Sequence, residues 1–482
     1  MPANTASLKF QEKLGYGLGD AASNFFFQAF NLFLLYFYTD VFGLAPAAVG
    51  TMFLVTKIVD AISDPVMGLV ADRTDSRWGK FRPYLLWAAI PYGLFGYAMF
   101  ASPDFSATGK LVYAYATYTL MMLAYTAINV PYSALMGVIS PSSIERTRVS
   151  AYRFICAFTA GWLIATFVTP LKNILGGGDE EIGFRLTMAI FAVISIALFW
   201  ICFATTKERV HPEQASSDIR SDLRTLLDNG PWIALFFSAI FALTNVAIRA
   251  GSTVFYLKYY VGDDGTPIFL IFDKTAVFLS LSMFGFIAGL TMTETLCRRF
   301  EKRHLMIALT LGNAAAMALF YVIPPDQYWL MVALSIVGAL IIGPTTALVW
   351  SMYADCTDYG EWKTGRRTTA LVFSASQFAQ KMGLAVGAGL SGYLLSLFGF
   401  VANQVQSASA IIGIKLMFSV FPAVLAVLSA AAILFYRLSD DKVSQIEGEL
   451  AGTQLEQLTF TQVFWFAWTD FFPDAPLWEL PA

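Results

Sequence analysis

The chain has 482 residues, of which 57% are hydrophobic, 16% aromatic and only 13% charged, with a mean hydropathy of +0.60. Soluble domains carry about 25% charged residues, so this composition excludes a soluble fold and marks an integral membrane protein. A net charge of −3, two histidines and four cysteines without paired spacing (Cys156, Cys202, Cys297, Cys356) exclude a nucleic-acid surface, a zinc cluster and a disulfide framework.

The first fifteen residues are polar and the first apolar run holds Asp20 and Asn24, so no cleavable signal is expected. Apolar runs then recur, each long enough to span a bilayer as a helix. Twelve spans are expected, over roughly residues 15–42, 47–71, 83–102, 108–138, 148–171, 183–205, 231–261, 267–293, 303–323, 328–353, 368–399 and 405–437. The protein is thus read as an all-α, multi-pass protein of the cell inner membrane. Lys and Arg crowd alternate connections, from Lys9 and Lys13 to Arg437 and Lys442, against only Lys110, Lys172 and Arg185 on the other side. That bias predicts cytoplasmic termini. The polar stretch 206–230, a cytoplasmic loop, separates a six-helix bundle over 1–205 from a second over 231–437, and a cytoplasmic tail occupies 438–482. A basic loop follows the second span of each half, "DRTDSRWGKFRP" and "CRRFEKRH". Two such halves are the pattern of the major facilitator fold, whose cavity lies between them, although another duplicated scaffold would leave the same echo.

The second span contains "VTKIVDAISDPVMG", with Lys57, Asp60 and Asp64 spaced to share one helix face. Each costs about 2.5–3.5 kcal/mol at a helix centre, so the three should face a polar cavity or one another. Pro65 has no N–H and frees the carbonyl of Ala61 between the carboxylates. Carboxylates and a carbonyl are hard ligands for Na⁺, and two close carboxylates also make a proton site, so the coupling ion is Na⁺ or H⁺. The plainer reading is a buried Lys57–Asp60 pair that leaves Asp64 unexplained. Arg153, one turn into the fifth span, is either a cavity residue or a snorkelling arginine at the membrane surface. Arg249 in the seventh span and Asp273 with Lys274 at the eighth are expected at similar depths, where Arg249 and Asp273 would pair or serve specificity. In the tenth connection "ADCTDYGEWKTGRR" offers Asp355, Asp358 and Glu361 to Arg73, Arg77, Arg146 or Arg148 of the first half. Such pairs would latch the inner gate, or else merely set topology. Lys381, among small residues in the eleventh span, is placed to pair with Asp60 or Asp64 across the halves. The aromatic stretch Thr459 to Trp478 is too short to span and is expected at the cytoplasmic membrane interface, or as a disordered end.

The stretches "KLGYGLGDAASNFFFQ", "YFYTDVFGL", "KIVDAISDPVMGLVADRTDSRWGKFRPYLL", "YTAINVPYSAL", "ERTRVSAYR", "ADCTDYGEWKTGRR" and "GFVANQVQ" resemble, in order, the motifs of the glycoside–pentoside–hexuronide:cation symporter family. The resemblance runs from about Lys13 to Tyr436. It implies a cation-coupled sugar symporter of the major facilitator fold, working by alternating access. It places Asp60, Asp64 and Thr126 at the cation site, with Ser63 between the acids, Lys381 at the lysine of its eleventh helix, and Tyr125 and Arg153 at the sugar. Asn24, Asn129, Gln377 and Lys381 are further candidates for the sugar, and Lys57 joins Lys381 in the charge network. Asn24 and Asn129 stand where melibiose permease has acids, and Ser133 where it has tryptophan. The glucuronide carriers are more similar at these positions, and Arg153 with Lys381 would attract a sugar carboxylate. Ser63 replaces an asparagine used for Na⁺, which keeps H⁺ open. The resemblance implies no cofactor, no nucleic-acid partner and a monomer in the bilayer.

Two other classes fit parts of the sequence. A lysophospholipid or other organic-solute symporter would share the fold. A prenyl-transferring membrane enzyme would use Asp60, Asp64 and Asp72 for a diphosphate-bound metal, but it needs a second aspartate cluster facing the first, and Asp355 with Asp358 lies in a basic cytoplasmic loop.

Overall fold

The computed structural model describes residues 8–210, 226–364 and 369–450. The aromatic stretch 459–478 lies outside them. Among the described residues there are no strands, and the helices make twelve passes. The first is α1 (Phe10–Ala29), continued by π-helical turns Phe30–Leu34 and Phe37–Val41. Then come α2 (Pro46–Arg73), α3 (Arg82–Trp87) with α4 (Ala89–Ala98), α5 (Ala107–Val138), α6 (Ser143–Gly176) and α7 (Glu180–Thr205). The seventh pass is α8 (Gly230–Phe255) with a π-helical turn Tyr256–Tyr260. It is followed by α9 (Lys274–Thr291) with α10 (Thr293–Cys297), α11 (Lys302–Leu319), α12 (Tyr328–Ile342) with α13 (Thr345–Thr364), α14 (Thr369–Leu397), and α15 (Ala408–Phe418) with α16 (Val420–Ile433). A last helix, α17 (Asp440–Leu450), follows the twelfth pass.

Local chemistry sets these boundaries. Side chains of Ser106, Ser142, Asp179, Asn229, Asp273 and Ser407 accept from backbone N–H groups at the starts of α5, α6, α7, α8, α9 and α15. Seven of the helices are long and apolar enough to cross a membrane on length and composition alone. The helix carrying Lys57, Asp60 and Asp64 is not among them, so its place in the bilayer depends on what its charges meet.

Packing repeats itself along the chain. α1 lies against α6 and α7, as α8 lies against α14 and α16; α2 packs on α5 as α9 does on α12; α4 packs on α7 as α11 does on α16. The repeat reaches single residues. Each π-helical turn at the far end of the first and seventh passes is closed by a residue at φ −82°, ψ −18° (Phe42, Val261) and a glycine at positive φ (Gly43 at 78°, Gly262 at 73°). Between the two sets, α2 meets α14 and α6 meets α9. The first of these crossings is backbone to backbone, since a Cβ on Gly50 would stand 2.5 Å from the carbonyl oxygen of Gly389. It lies at the distal end, opposite the face where α1 and α17 begin.

The "RWGKFRP" loop is built around one carboxylate. Glu208 accepts from the backbone N–H groups of Lys80, Phe81 and Arg82 at 2.9, 2.8 and 3.0 Å, filling the start of α3. Gly79 sits at φ 105°, and a Cβ there would strike the same carboxylate. Arg82 closes the loop by donating to the Phe203 carbonyl at 2.7 Å. Glu208→Ala leaves those N–H groups without their acceptor and should cost about 1–3 kcal/mol, read as a lower Tm of the purified protein. An unchanged Tm would show that the loop does not depend on Glu208.

Candidate cation and sugar site

Asp60 and Asp64 project from one face of α2 toward α5 and α14. Lys57 lies one turn before Asp60 and holds its Oδ2 at 3.2 Å. Thr126 of α5 stands between the carboxylates, its Oγ1 3.2 Å from Asp60 Oδ1 and 3.0 Å from Asp64 Oδ1. One hydroxyl has one proton, so at any moment it donates to one carboxylate and turns a lone pair to the space beside the other. Ser63 donates to the Asp60 carbonyl at 3.1 Å and approaches Thr126 Oγ1 at 3.4 Å. From the other helical set Lys381 of α14 ion-pairs with Asp64 and stands 3.9 Å from Asp60 Oδ2. Two carboxylates thus face two ammonium groups. The Lys57–Asp60 pair of the plainer reading is present, and Asp64 is not left over, because Lys381 takes it. Asp60 is buried, whereas the Lys381 side chain is 40% exposed, which makes it the displaceable member.

The sugar candidates form a second cluster on α1, α5 and α6. Arg153 Nε donates to Asp20 Oδ2 at 2.8 Å, and its guanidinium lies 5.5 Å from the centre of the Tyr132 ring. Asn24 donates to the Asp20 carbonyl at 2.9 Å. Asn129 accepts from Ser23 at 2.7 Å and donates to the Tyr125 carbonyl at 3.1 Å. The Tyr125 ring stacks on Phe27 and leans on Tyr92, leaving an aromatic wall beside the amides. Of the two readings of Arg153 the inward one fits, since it points to a carboxylate and does not snorkel. Asp20 supplies an acid one turn from Asn24, so the cluster is not free of carboxylates. Asp20 and Ser23 were overlooked. The Asp20 carboxylate inside the first span was their signal, because a charge there requires a partner. Gln377 is exposed and joins none of these bonds among the described residues.

A third cluster closes the distal end between the two sets. Lys258, in the π-helical turn of the seventh pass, donates to Tyr36 Oη at 2.7 Å, Asn403 Oδ1 at 2.9 Å and Asp40 Oδ1 at 3.2 Å. Tyr259 donates to the same Asp40 oxygen, and Asn403 donates its backbone N–H to Tyr259 Oη at 2.9 Å. Asn403, of "GFVANQVQ", holds a left-handed backbone at φ 56° to do so. Tyr36 in turn donates to Glu180, which pairs with Lys172 at 2.5 Å. Nearby, Asp273 caps α9 and accepts from Thr169 at 3.0 Å and Asn173 at 3.1 Å across the sets.

The expected Arg249–Asp273 pair does not form. Asp273 stands at the start of α9, while Arg249 lies eleven residues before the end of its pass, about 16 Å deeper. Lys274 donates to the Gly262 carbonyl. At the opposite end several of the gate candidates have partners in their own set. Asp355 pairs with Lys302 at 2.8 Å, Arg148 with Glu145 at 2.9 Å, and Arg146 donates to the carbonyls of Ser140 and Pro141, each within its own set. Arg77 lies over Trp78.

A duplicated helical bundle, its two sets tied at one end through Lys258 and with charged side chains gathered where they meet, defines a membrane transporter of the major facilitator fold. The family described as MFS/sugar transport protein matches residues 15–440, and the chain belongs to it, within the glycoside–pentoside–hexuronide:cation symporters. It is 37% identical over 446 residues to the putative glycoside/cation symporter YagG of Escherichia coli (92% of this chain, 95% of that one). It is 35% identical to the isoprimeverose transporter of Lactiplantibacillus pentosus (93% and 91%), and 33% identical to the glucuronide carrier protein homolog of Escherichia coli (92% and 96%). Its fold superposes with a TM-score of 0.63 on a bacterial homolog of the human lysosomal transporter Spinster, at 13% identity over 92% of this chain and 98% of that one. The family is one of transporters, and the reading as a prenyl-transferring enzyme falls away.

If Lys258 bridges the distal seal, Lys258→Met should loosen it. With the four native cysteines replaced by serine, a cysteine at Asn173 should react faster with a membrane-impermeant maleimide in the Lys258→Met chain than in its parent. Equal rates would remove Lys258 from the seal.

Proposed function

We propose that the protein carries a neutral glycoside together with one cation, Na⁺ or H⁺, by alternating access. The observation that carries this reading is Lys381 of one helical set sharing the carboxylates of the other. A cation entering beside Thr126 would be met by oxygens of Asp60, Asp64, Thr126 and Ser63, all hard ligands, and would displace the Lys381 ammonium. The pairing Lys381–Asp64 holds the empty carrier together, because breaking it without a substitute strands a charge at a cost of several kcal/mol. Asn24, Asn129, Ser23 and Asp20 then offer donors and acceptors to sugar hydroxyls, with Tyr125 as the stacking face, and the released lysine completes its bonds on the sugar. The terminal face, rich in Lys and Arg, is taken as cytoplasmic, so the closed distal end is the outer one. When the carrier reverses, Arg73, Arg77, Arg146 and Arg148 would meet Asp355, Asp358 and Glu361 to latch the inner side. The two halves that rock are the residues before 206 and after 230.

Arg153 favours a neutral sugar over a hexuronide. Its charge is already balanced by Asp20, so the site offers a carboxylate no uncompensated cation. Charge then decides how transport responds to voltage. Asp60, Asp64, Lys57 and Lys381 sum to zero in the empty carrier and to one positive charge when the cation is bound. A neutral glycoside leaves that charge in place, and about 2.3 kcal/mol per 100 mV acts on it.

In proteoliposomes, uptake of neutral glycosides or pentosides under a cation gradient should accelerate with an inside-negative potential, while hexuronides should be poor substrates. Voltage-independent uptake with a preference for hexuronides would contradict the proposal. Asp64→Asn and Lys381→Ala should each abolish uphill accumulation, and the double variant should recover downhill exchange, because the two changes remove opposite charges. Accumulation by Lys381→Ala alone, at unchanged cation stoichiometry, would reduce the lysine to packing.

A further inference from the structure

The second helical set encloses a cavity of about 500 Å³ between α8, α9, α11, α12 and α16, within the size range of ligand pockets. Protein interiors are close-packed, and a space of this size in a bundle core has no structural need. It follows α8 from Ser238 to Thr253, fifteen residues or about 22 Å, so it is long. Phe278, Leu279, Phe286, Met317 and Leu334 make its walls apolar, and none of its lining residues is acidic. It shares no residue with the cation or sugar clusters.

Arg249 and Asn245 lie toward one end, and Ser238 and Ser429, hydrogen-bonded to each other, line the other. Arg249 lines the cavity and donates Nη1 to the carbonyl of Phe418 at 3.0 Å. That carbonyl is available because its helical partner, one turn on, would be Pro422, which has no N–H. The guanidinium rests on the rings of Phe418 and Phe320, 4.3 and 4.9 Å from their centres. A guanidinium has five N–H groups in a planar fork, and the Phe418 carbonyl is the acceptor it meets among the described residues, so its charge has no carboxylate to balance it. Asn245, one turn before on α8, is 5% exposed and its Oδ1 has no partner; Asn313 of α11, 4% exposed, lines the same space.

We propose that this cavity is a second ligand site, for a single-chain carboxylate amphiphile such as a fatty acid, with Arg249 as the anchor of its head. An unbalanced guanidinium inside an apolar bundle costs several kcal/mol, and a carboxylate fits its fork with two parallel hydrogen bonds. The mostly apolar walls beyond take one acyl chain. The Asn245 amide, one turn from Arg249, sits where it can complete the head's hydrogen bonds. The site is independent of the sugar pathway and stands or falls separately from it.

The full-length protein in phosphatidylcholine nanodiscs, probed with a photoreactive diazirine analogue of palmitic acid, tests this. The wild type should be labelled on peptides of α8, α9, α11 or α12, with unlabelled palmitate competing and acetate not. Arg249→Gln should lose labelling by at least about ten-fold, equivalent to 1.4 kcal/mol of binding. Ala339→Phe, which keeps the arginine and fills the cavity, should do the same with the Tm retained. Equal labelling in Arg249→Gln, or label confined to other helices, overturns the proposal. Competition by acetate as strong as by palmitate overturns it in favour of a simple anion site.

Discussion

Two carboxylates one turn apart in an apolar helix are the constraint around which this protein is arranged. α2 cannot keep Asp60 and Asp64 ionised within the bundle unless cations stand beside them, and it supplies only Lys57 itself. The second has to come from elsewhere, and it comes from α14, in the other helical set. The ion pair is therefore also a tie between two bodies. In the proposed cycle a cation that replaces the lysine would satisfy the same carboxylates without bridging the sets, and this difference between two ways of neutralising one site would let ion binding bear on shape.

Beside this tie, contacts between the sets gather toward the distal end, and α6 and α9 carry them on as far as Phe158 and Phe286. Gly50, Gly389 and Gly392 let α2 and α14 touch through their backbones, and Lys258 gathers Asp40, Tyr36 and Asn403 on the same distal side. On the terminal side Asp355 pairs with Lys302 and Arg148 with Glu145, each within its own set. Matching π-helical turns place Asp40 and Lys258 at corresponding ends of the first and seventh passes, so the seal is assembled from the repeat itself. The sugar cluster has a similar economy. Asp20 balances Arg153, and the amides of Asn24 and Asn129 are each held by a carbonyl, a carboxylate or a hydroxyl of α1 or α5, which fixes their direction without exhausting their hydrogen bonds.

Much of this could be read from the residues alone, and the failures have physical causes. The helical passes follow from apolar length, and even the expected fourth span, 108–138, agrees with α5 to a residue. The meeting of Asp60, Asp64, Thr126 and Lys381 follows from the cost of intramembrane charge together with the family motifs. Asp20 escaped because the first span was judged by the missing acids at Asn24 and Asn129, not by the acid present one turn earlier. The Arg249–Asp273 pair failed on depth, since Asp273 belongs to a helix cap and not to the span. The distal seal was invisible because its charges sit at span ends, where a sequence shows only ordinary interfacial residues. A left-handed asparagine such as Asn403 gives no signal until its neighbours are known.

The central claim is that lysine and cation compete for the same carboxylates. Reductive methylation of Lys381, read by mass spectrometry as a ratio to the exposed Lys207, measures that competition directly. With Na⁺ raised at fixed pH, or with pH lowered if the ion is H⁺, the ratio should rise several-fold as the ammonium is released from Asp64. A ratio that stays constant across both titrations, under conditions where the protein still transports, would contradict the account.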